Sequence, residues 1–359
     1  MGRAIFCGLS FASAVMELRM PDNPHIAVIG GGIIGASIAW RLVPSGASVT
    51  LLDAGVLGNE ASWAGAGMLA PGGEFIARSA WADFAMESFR LYPSFVAELS
   101  GETGLAIDYR RCGAIEVART EPEWQELLAR RAAQSELGVR AESIPGGLFY
   151  PDDALVDPRE VMRALRCACE RRGVQIREHS RVTRVRLAAG RAEIEIGHDV
   201  VHAHAAVLAA GAWSGAIPIF DATGQIGIPA TFPVRGHLLG VSLEPGSLGP
   251  ILRHGHTYVM QRSNGFTIAG TSSEQIGFDR NLDPKTVEDI RARAMELCPQ
   301  LSSAPDPTAW LGFRPATADF NPVVRRLDDT CLWLAYGHYR NGILLAPATA
   351  ARVAREIAA

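Results

Sequence analysis

PHIAVIGGGIIGASIAWRLVPSGASVTLLDAG, residues 24–55, carries the decision about the fold. His25-Ile26-Ala27-Val28-Ile29 is a short apolar run that stops at glycine, as a strand buried on both faces does. Gly30, Gly32 and Gly35 then fit the spacing G-x-G-x-x-G. A helix is expected next, with Ile34, Ile38, Ala39 and Leu42 on one face. Val49-Thr50-Leu51-Leu52 reads as the second strand and ends on Asp53, 18 residues past Gly35. Each part has a task in holding a dinucleotide. Gly30 permits a tight turn, Gly32 lets the backbone approach a pyrophosphate, and Gly35 lets helix and strand pack closely. The helix N-terminus meets the phosphate charge, and Asp53 can accept from ribose hydroxyls. An acid at 53 disfavours a 2′-phosphate but does not separate NAD from FAD.

The segment after the second strand bears on that choice. A plain NAD dehydrogenase would continue with another helix and strand. This chain continues with GNEASWAGAGMLAP, residues 58–71, too rich in small residues for an ordinary core element. Ala61, Ser62, Ala64, Gly65, Ala66 and Gly67 allow close backbone approach to something flat or charged. Met68-Leu69-Ala70-Pro71 adds a soft apolar surface. Residues 181–215 alternate through short strands and close on LAAGAWSG, with Gly211 at the end of an apolar strand. Asp157-Pro158 reads as N-cap and first residue of a helix. PVRGHLLGVSL, YRRCGAIEVA and TYVMQRSNGFTIAGT read as strands, with Ser263-Asn264-Gly265 as a hairpin turn. The apolar run Ile343-Leu344-Leu345-Ala346 is expected to open a buried helix behind Asn341-Gly342.

The 359 residues are 48% apolar and 20% charged, enough for a sizeable core and, as a prior, two domains. A net charge of −4 gives no reason to expect nucleic acid or an anionic membrane as partner. Of the basic residues only Lys285 is a lysine, so lysine-based chemistry has little to draw on. Cys7, Cys112, Cys167, Cys169, Cys298 and Cys331 form no CxxC pair, which suits a reduced, cytoplasmic protein without a disulfide framework or zinc site. The pairs His202/His204 and His254/His256 lack a nearby carboxylate or thiolate in sequence, and no metal is expected. No stretch is long enough for a transmembrane helix. Residues 1–24 read as an N-terminal extension, disordered or from a start placed too early. A weak signal-peptide shape is the other reading.

The ordered set GGGIIG, ASWAGAGMLAP, LAAGAWSG, PVRGHLL, GFRPATADFNPVV and GHYRNGILLAPATA resembles the FAD-dependent amine and amino-acid oxidases of the D-amino acid oxidase superfamily. AGMLAP and GHYRNGILLAP are most similar to its glycine oxidase branch, which serves thiamine thiazole synthesis. The resemblance runs from about His25 to about Arg355. It implies an α/β fold: a Rossmann-like FAD-binding domain of the GR2 type over 25–78, 157–225 and 310–359, and a mostly antiparallel substrate domain over 79–156 and 226–309.

The same resemblance implies roles for residues. Arg314, in GFRPAT, would clamp the substrate carboxylate, and Arg340, in HYRNG, would be a second substrate contact. An arginine suits the first task because it reads two oxygens with two parallel hydrogen bonds. Tyr258 would close over the carboxylate, and Met68 would lie near the ring. FAD contacts would come from Gly30, Gly32, Ile33, Ile34, Gly35, Asp53, Ala54, Ala61, Ser62, Ala66, Gly67, Met68, Val182 and Gly211. Further contacts would come from His338, Tyr339, Arg340, Asn341, Gly342, Ile343 and Leu344. No side-chain base is expected, because in these oxidases the neutral amine reacts. The absence of cysteine from 302–320 points to non-covalent FAD. The implied reaction takes hydride from the α-carbon of glycine, sarcosine, D-alanine or D-proline. Dioxygen would be the acceptor, and a homo-oligomer is expected. A dehydrogenase serving a quinone or protein acceptor, or a subunit of a larger amine dehydrogenase, is the competing reading.

Overall fold

The computed structural model describes residues 21–188 and 190–359. Most of the expected N-terminal extension, residues 1–20, lies outside the described residues, as does Cys7.

A six-stranded sheet forms around His25–Ile29. Its order is Val323–Arg326, Leu332–Tyr336, Ala205–Leu208, His25–Ile29, Ser48–Leu52, Gln175–Arg177. All neighbours run parallel except the edge strand Val323–Arg326. Side chains alternate between its faces, as strand geometry requires. Ile26, Val28, Val49, Leu51 and Val207 pack on one side among helices. Ala27, Ile29, Leu52, Ala206 and Leu208 pack on the other against a five-stranded sheet through Val185, Leu187 and Ile194. Burial on both faces explains the continuous apolar runs in the sequence.

The helix Ile33–Leu42 was expected to be amphipathic. Every residue in it except Arg41 is buried. It is covered by the helices Ala80–Thr103, Pro158–Arg171 and Gly342–Ala358, which share its core. Asp157 caps the helix Pro158–Arg171 by accepting from the Arg159 amide, with Pro158 at the first helical position.

An eight-stranded sheet forms the second large layer. It is antiparallel throughout except where Ile251–His254 meets Ala114–Val117. The hairpin Thr257–Gln261 to Phe266–Gly270 turns through Gly265 at φ +87°. YRRCGAIEVA, expected as one strand, is two. Tyr109–Arg111 joins a three-stranded sheet and Ala114–Val117 the eight-stranded one. Gly113, at φ +71°, breaks the run and donates to the Asp153 carbonyl. The strand Thr308–Ala316 pairs along its length with Phe232–Ser242 at the edge of the eight-stranded sheet. Residue 310 lies within this strand.

The last helix contains Pro347, which has no N–H for the carbonyl of Ile343 one turn earlier. Helix Ala80–Thr103 repairs the gap. The Tyr92 hydroxyl donates to the Ile343 carbonyl at 3.1 Å. The Ser88 hydroxyl enters the next step of the ladder: it donates to the Leu344 carbonyl at 2.7 Å and accepts from the Ala348 amide at 3.1 Å. Both side chains are fully buried. Tyr92→Phe keeps the ring and removes the donor to a part-buried carbonyl, so urea unfolding should show a loss of about 0.5–1.5 kcal/mol. A midpoint equal to the parent's would show that the repair contributes nothing.

Candidate active site

One cavity of about 1270 Å³ opens beyond the carboxyl ends of the parallel strands, where Ile29, Leu52, Ala209 and Ala335 contribute to its wall. This is where open α/β sheets hold ligands. The volume exceeds the roughly 300–1,000 Å³ of ordinary small-molecule sites. The cavity runs from Asp53 and Val182 to Arg314 and Tyr258, passing the start of the first helix at Gly32, Ile33 and Ile34.

At the first end the glycine turn works by close approach. A Cβ on Gly30, at φ +105°, would stand 2.4 Å from the Ala209 oxygen; one on Gly35 would stand 1.9 Å from the Gly30 oxygen. Gly35 itself does not line the cavity; its work is packing. The Ser62 hydroxyl accepts from the Ile33 amide at 2.9 Å. Asp53 accepts from the Gly31 amide at 2.8 Å through Oδ2 and from the Gly55 amide at 2.7 Å through Oδ1. Each carboxylate oxygen keeps a second lone pair. The acid is thus held by backbone and still able to accept from hydroxyls, with Ala54 beside it. Tight glycine turn, helix N-terminus and oriented acid together fit the adenosine diphosphate part of a dinucleotide.

The small-residue stretch wraps the middle of the cavity. It forms a turn of helix, Ala61–Ala64, and a two-residue strand, Met68–Leu69. Ala61, Ser62, Ala66, Gly67 and Met68 all line the cavity, as does Gly211 opposite. Gly67, at φ +95°, passes so near the Val156 carbonyl that a Cβ would be 1.9 Å from its oxygen. The stretch is pinned from outside. The Trp310 indole donates to the Ala64 carbonyl at 2.9 Å, and Arg159 lies 3.8 Å over the Trp63 ring. Neither Arg159 nor Trp310 could be recognised in the sequence, since nothing local ties them to residue 63.

The far end rests on the turn Gly337–Asn341. Gly337 has φ +79° and Tyr339 φ +48°. A left-handed non-glycine residue costs of order 1–3 kcal/mol and is held only by its surroundings. Here Tyr339 packs on Phe320, ring centroids 5.0 Å apart. The turn brings His338, Tyr339, Arg340, Asn341, Gly342 and Ile343 to the wall. Leu344, expected there, points elsewhere: it is buried in the core among the helices. The helix had turned its side chain away, as a rotation of about 100° per residue requires.

Two arginines reach this end with different electrostatics. Arg340 is 45% exposed and pairs through Nε with Glu74 at 2.6 Å. Arg314 donates to the Ser272 carbonyl at 3.0 Å and the Thr271 hydroxyl at 2.6 Å, and among the described residues no carboxylate lies within 4 Å of it. Burial pulls its pKa below the ordinary arginine value. Its guanidinium lies on Gly236, where a Cβ would be 2.3 Å from it. Gly270 likewise makes room for the Tyr258 hydroxyl, 2.6 Å from its hypothetical Cβ. Burial pushes Tyr258 up to about 12, so it stays a neutral phenol. Gly236, Gly270 and Glu74 escaped the sequence reading. The first had a signal, a glycine inside the strand motif PVRGHLL, which marks close approach.

Among the described residues no group of three or more His, Cys, Asp or Glu could hold a metal ion. His204 instead accepts from the His25 amide at 2.9 Å, and His254 lies 3.4 Å from Glu123.

His338 is buried with Nε2 3.1 Å from the Thr349 hydroxyl, and burial pushes its pKa down to about 3. The unfolded chain takes up this proton near pH 6.5, the folded chain only near 3. His338's contribution to stability is therefore complete above pH 6.5 and falls by about 1.4 kcal/mol per unit as the pH drops towards 3. His338→Gln should flatten that part of the stability–pH profile, measured by urea midpoints between pH 4 and 7. Parallel profiles would refute the assignment.

Known proteins share this fold. The family model described as FAD dependent oxidoreductase, DAO, matches residues 25–356. Glycine oxidase from Bacillus licheniformis is 32% identical over 343 residues, 92% of this chain and 92% of the relative. The bifunctional protein ThiO/ThiG from Synechocystis is 33% identical over 350 residues, 93% of this chain and 51% of the relative. The crystal structure of glycine oxidase from Geobacillus kaustophilus superposes with a TM-score of 0.86 at 28% identity, covering 93% of this chain and 95% of that one. With a large cavity at the carboxyl ends of its parallel strands, and the match running through both sheets, the chain belongs to the DAO family of FAD-dependent oxidoreductases.

Proposed function

We propose that this flavoenzyme oxidises glycine or another small amino acid or amine, such as sarcosine, D-alanine or D-proline. The observation that carries the reading is the charge of Arg314, turned to the cavity without a carboxylate to balance it. Leaving a charge uncompensated in a partly buried site costs several kcal/mol, a cost that an incoming carboxylate removes. Arg340 has Glu74 and so has less charge to give. Arg314 is accordingly the principal clamp, and Arg340 with Glu74 forms the rim.

FAD, when bound, supplies the two-electron acceptor for a hydride. The protein's own task is orientation. Arg314 would hold both carboxylate oxygens with donors not spent on Ser272 and Thr271. The Tyr258 hydroxyl would give a further hydrogen bond from the same side. Met68, at the same cavity wall, would lie near the flavin ring. His338 is kept neutral by burial and engaged with Thr349, so it is not the base. The amine would enter neutral and keep its lone pair for the developing imine. Glycine, water and dioxygen would give glyoxylate, ammonia and hydrogen peroxide.

The partition into an FAD part (25–78, 157–225, 310–359) and a substrate part (79–156, 226–309) belongs to this proposal, as do non-covalent FAD and a homo-oligomer. So does a role in thiamine thiazole synthesis, in which the imine is the useful product. The glycine oxidase relatives and the fused ThiO/ThiG relative support it. The alternative is a dehydrogenase that passes electrons to a quinone or protein acceptor, or a subunit of a larger amine dehydrogenase. No helix among the described residues is long and apolar enough to cross a membrane.

Anaerobic mixing with glycine, sarcosine, D-alanine and D-proline should bleach the flavin, and air should then yield peroxide. No bleaching with any of the four overturns the proposal, and bleaching without peroxide transfers it to the alternative acceptor. Arg314→Leu should abolish bleaching at substrate concentrations that saturate the parent while the protein stays yellow. Acid precipitation should release the chromophore into the supernatant; a yellow pellet would mean a covalent link.

A further inference from the structure

The clamp has a support that the reaction itself does not use. Arg314 hangs from the main-chain segment Thr271–Ser272, through the Ser272 carbonyl and the Thr271 hydroxyl. That segment is held by a cluster inside PVRGHLL and its partner loop. The Thr271 hydroxyl donates to the His237 carbonyl at 3.0 Å, and the His237 amide donates to the Ser272 hydroxyl oxygen at 3.0 Å. The Ser272 hydroxyl donates to Glu274 Oε1 at 2.6 Å. The His237 ring completes the set. The Asp283 amide donates to Nε2 at 3.2 Å, so Nδ1 carries the proton and faces Glu274 Oε1 at 3.0 Å.

His237 is fully buried, and a buried polar ring needs a purpose beyond filling space. Glu274 does not serve Arg314 as counter-ion. Its second oxygen takes Nε and Nη2 of Arg235 at 3.1 and 2.5 Å, and Arg235 reaches Asp279 at 2.9 Å as well. Although burial opposes it, the hydrogen bonds from Ser272 and Arg235 hold the Glu274 carboxyl below the usual carboxylate range. Glu274 is thus engaged by Arg235, Ser272 and His237 rather than by Arg314, and the cluster fixes the two oxygens from which Arg314 hangs. Gly236, beside His237, provides the notch for the guanidinium.

We infer that His237, Ser272 and Glu274 are positioning residues for Arg314, aiming its free donors at the substrate carboxylate. The inference rests on Arg314 as the carboxylate clamp. It specifies an effect on carboxylate recognition and little effect on the hydride step.

The test uses the holoenzyme and two readouts: KM and kcat for glycine, and the Kd of acetate read from the visible spectrum of bound flavin. His237→Leu removes the ring's hydrogen bonds, and His237→Gln keeps an acceptor for Asp283 and a donor for Glu274. His237→Leu should raise KM and the acetate Kd by about tenfold, the loss expected for a hydrogen bond to a charged group. It should leave kcat within about twofold, and His237→Gln should recover most of the affinity. Parental KM and Kd in His237→Leu overturn the inference, as does an equal loss of kcat and affinity in both variants. Should His237→Leu not fold, Ser272→Ala makes the same test with the ring in place: a raised acetate Kd supports the inference and a parental one overturns it. A parent enzyme that binds neither acetate nor glycine would instead sink the clamp itself.

Discussion

Main chain touches main chain at two points beside the first helix, and the architecture depends on that contact. The oxygen of Gly30 lies where a side chain on residue 35 would begin, and the oxygen of Ala209 lies where one on residue 30 would begin. With no Cβ at either place, the helix Ile33–Leu42 lies directly on its strand and the neighbouring strand closes on the turn. The helix N-terminus is thereby brought level with the strand ends, and the cavity opens there. Any larger residue would push helix from sheet, and with it the amides that would face a bound phosphate.

Charge divides the labour at the other end. Arg253, also at the cavity wall, is buried against Glu116 at 3.0 Å and Asp153 at 2.9 Å. Arg340 is balanced by Glu74 and Arg235 by Glu274 and Asp279. Arg314 alone of these four has its side-chain partners among uncharged oxygens. Several arginines line or approach one cavity, and the positions of the acids decide which of them is available to a ligand.

Much of this was legible because it is local. The G-x-G-x-x-G spacing, the cap at Asp157-Pro158 and the turn at Gly265 depend on residues a few positions apart, whose backbone demands show in their types. The run YRRCGAIEVA misled for a related reason. Its apolar alternation continues through Gly113, while the change of sheet depends on Asp153, forty residues away. Leu344 was expected in the site because its neighbours are there, and the helical rotation took it into the core.

The sequence by itself determined the nucleotide turn, the strand–helix order and the set of residues from which a cofactor site could be drawn, since these follow from chain-local geometry and hydrophobic period. Only the tertiary structure decided the chemistry of the two arginines. Glu74 stands 266 residues from Arg340, Thr271 and Ser272 stand 43 and 42 residues from Arg314, and Ser88 and Tyr92 reach more than 250 residues to mend the helix at Pro347. Whether an arginine is neutralised or left free depends on which oxygens folding brings within about 3 Å of it. No spacing along the chain records that distance.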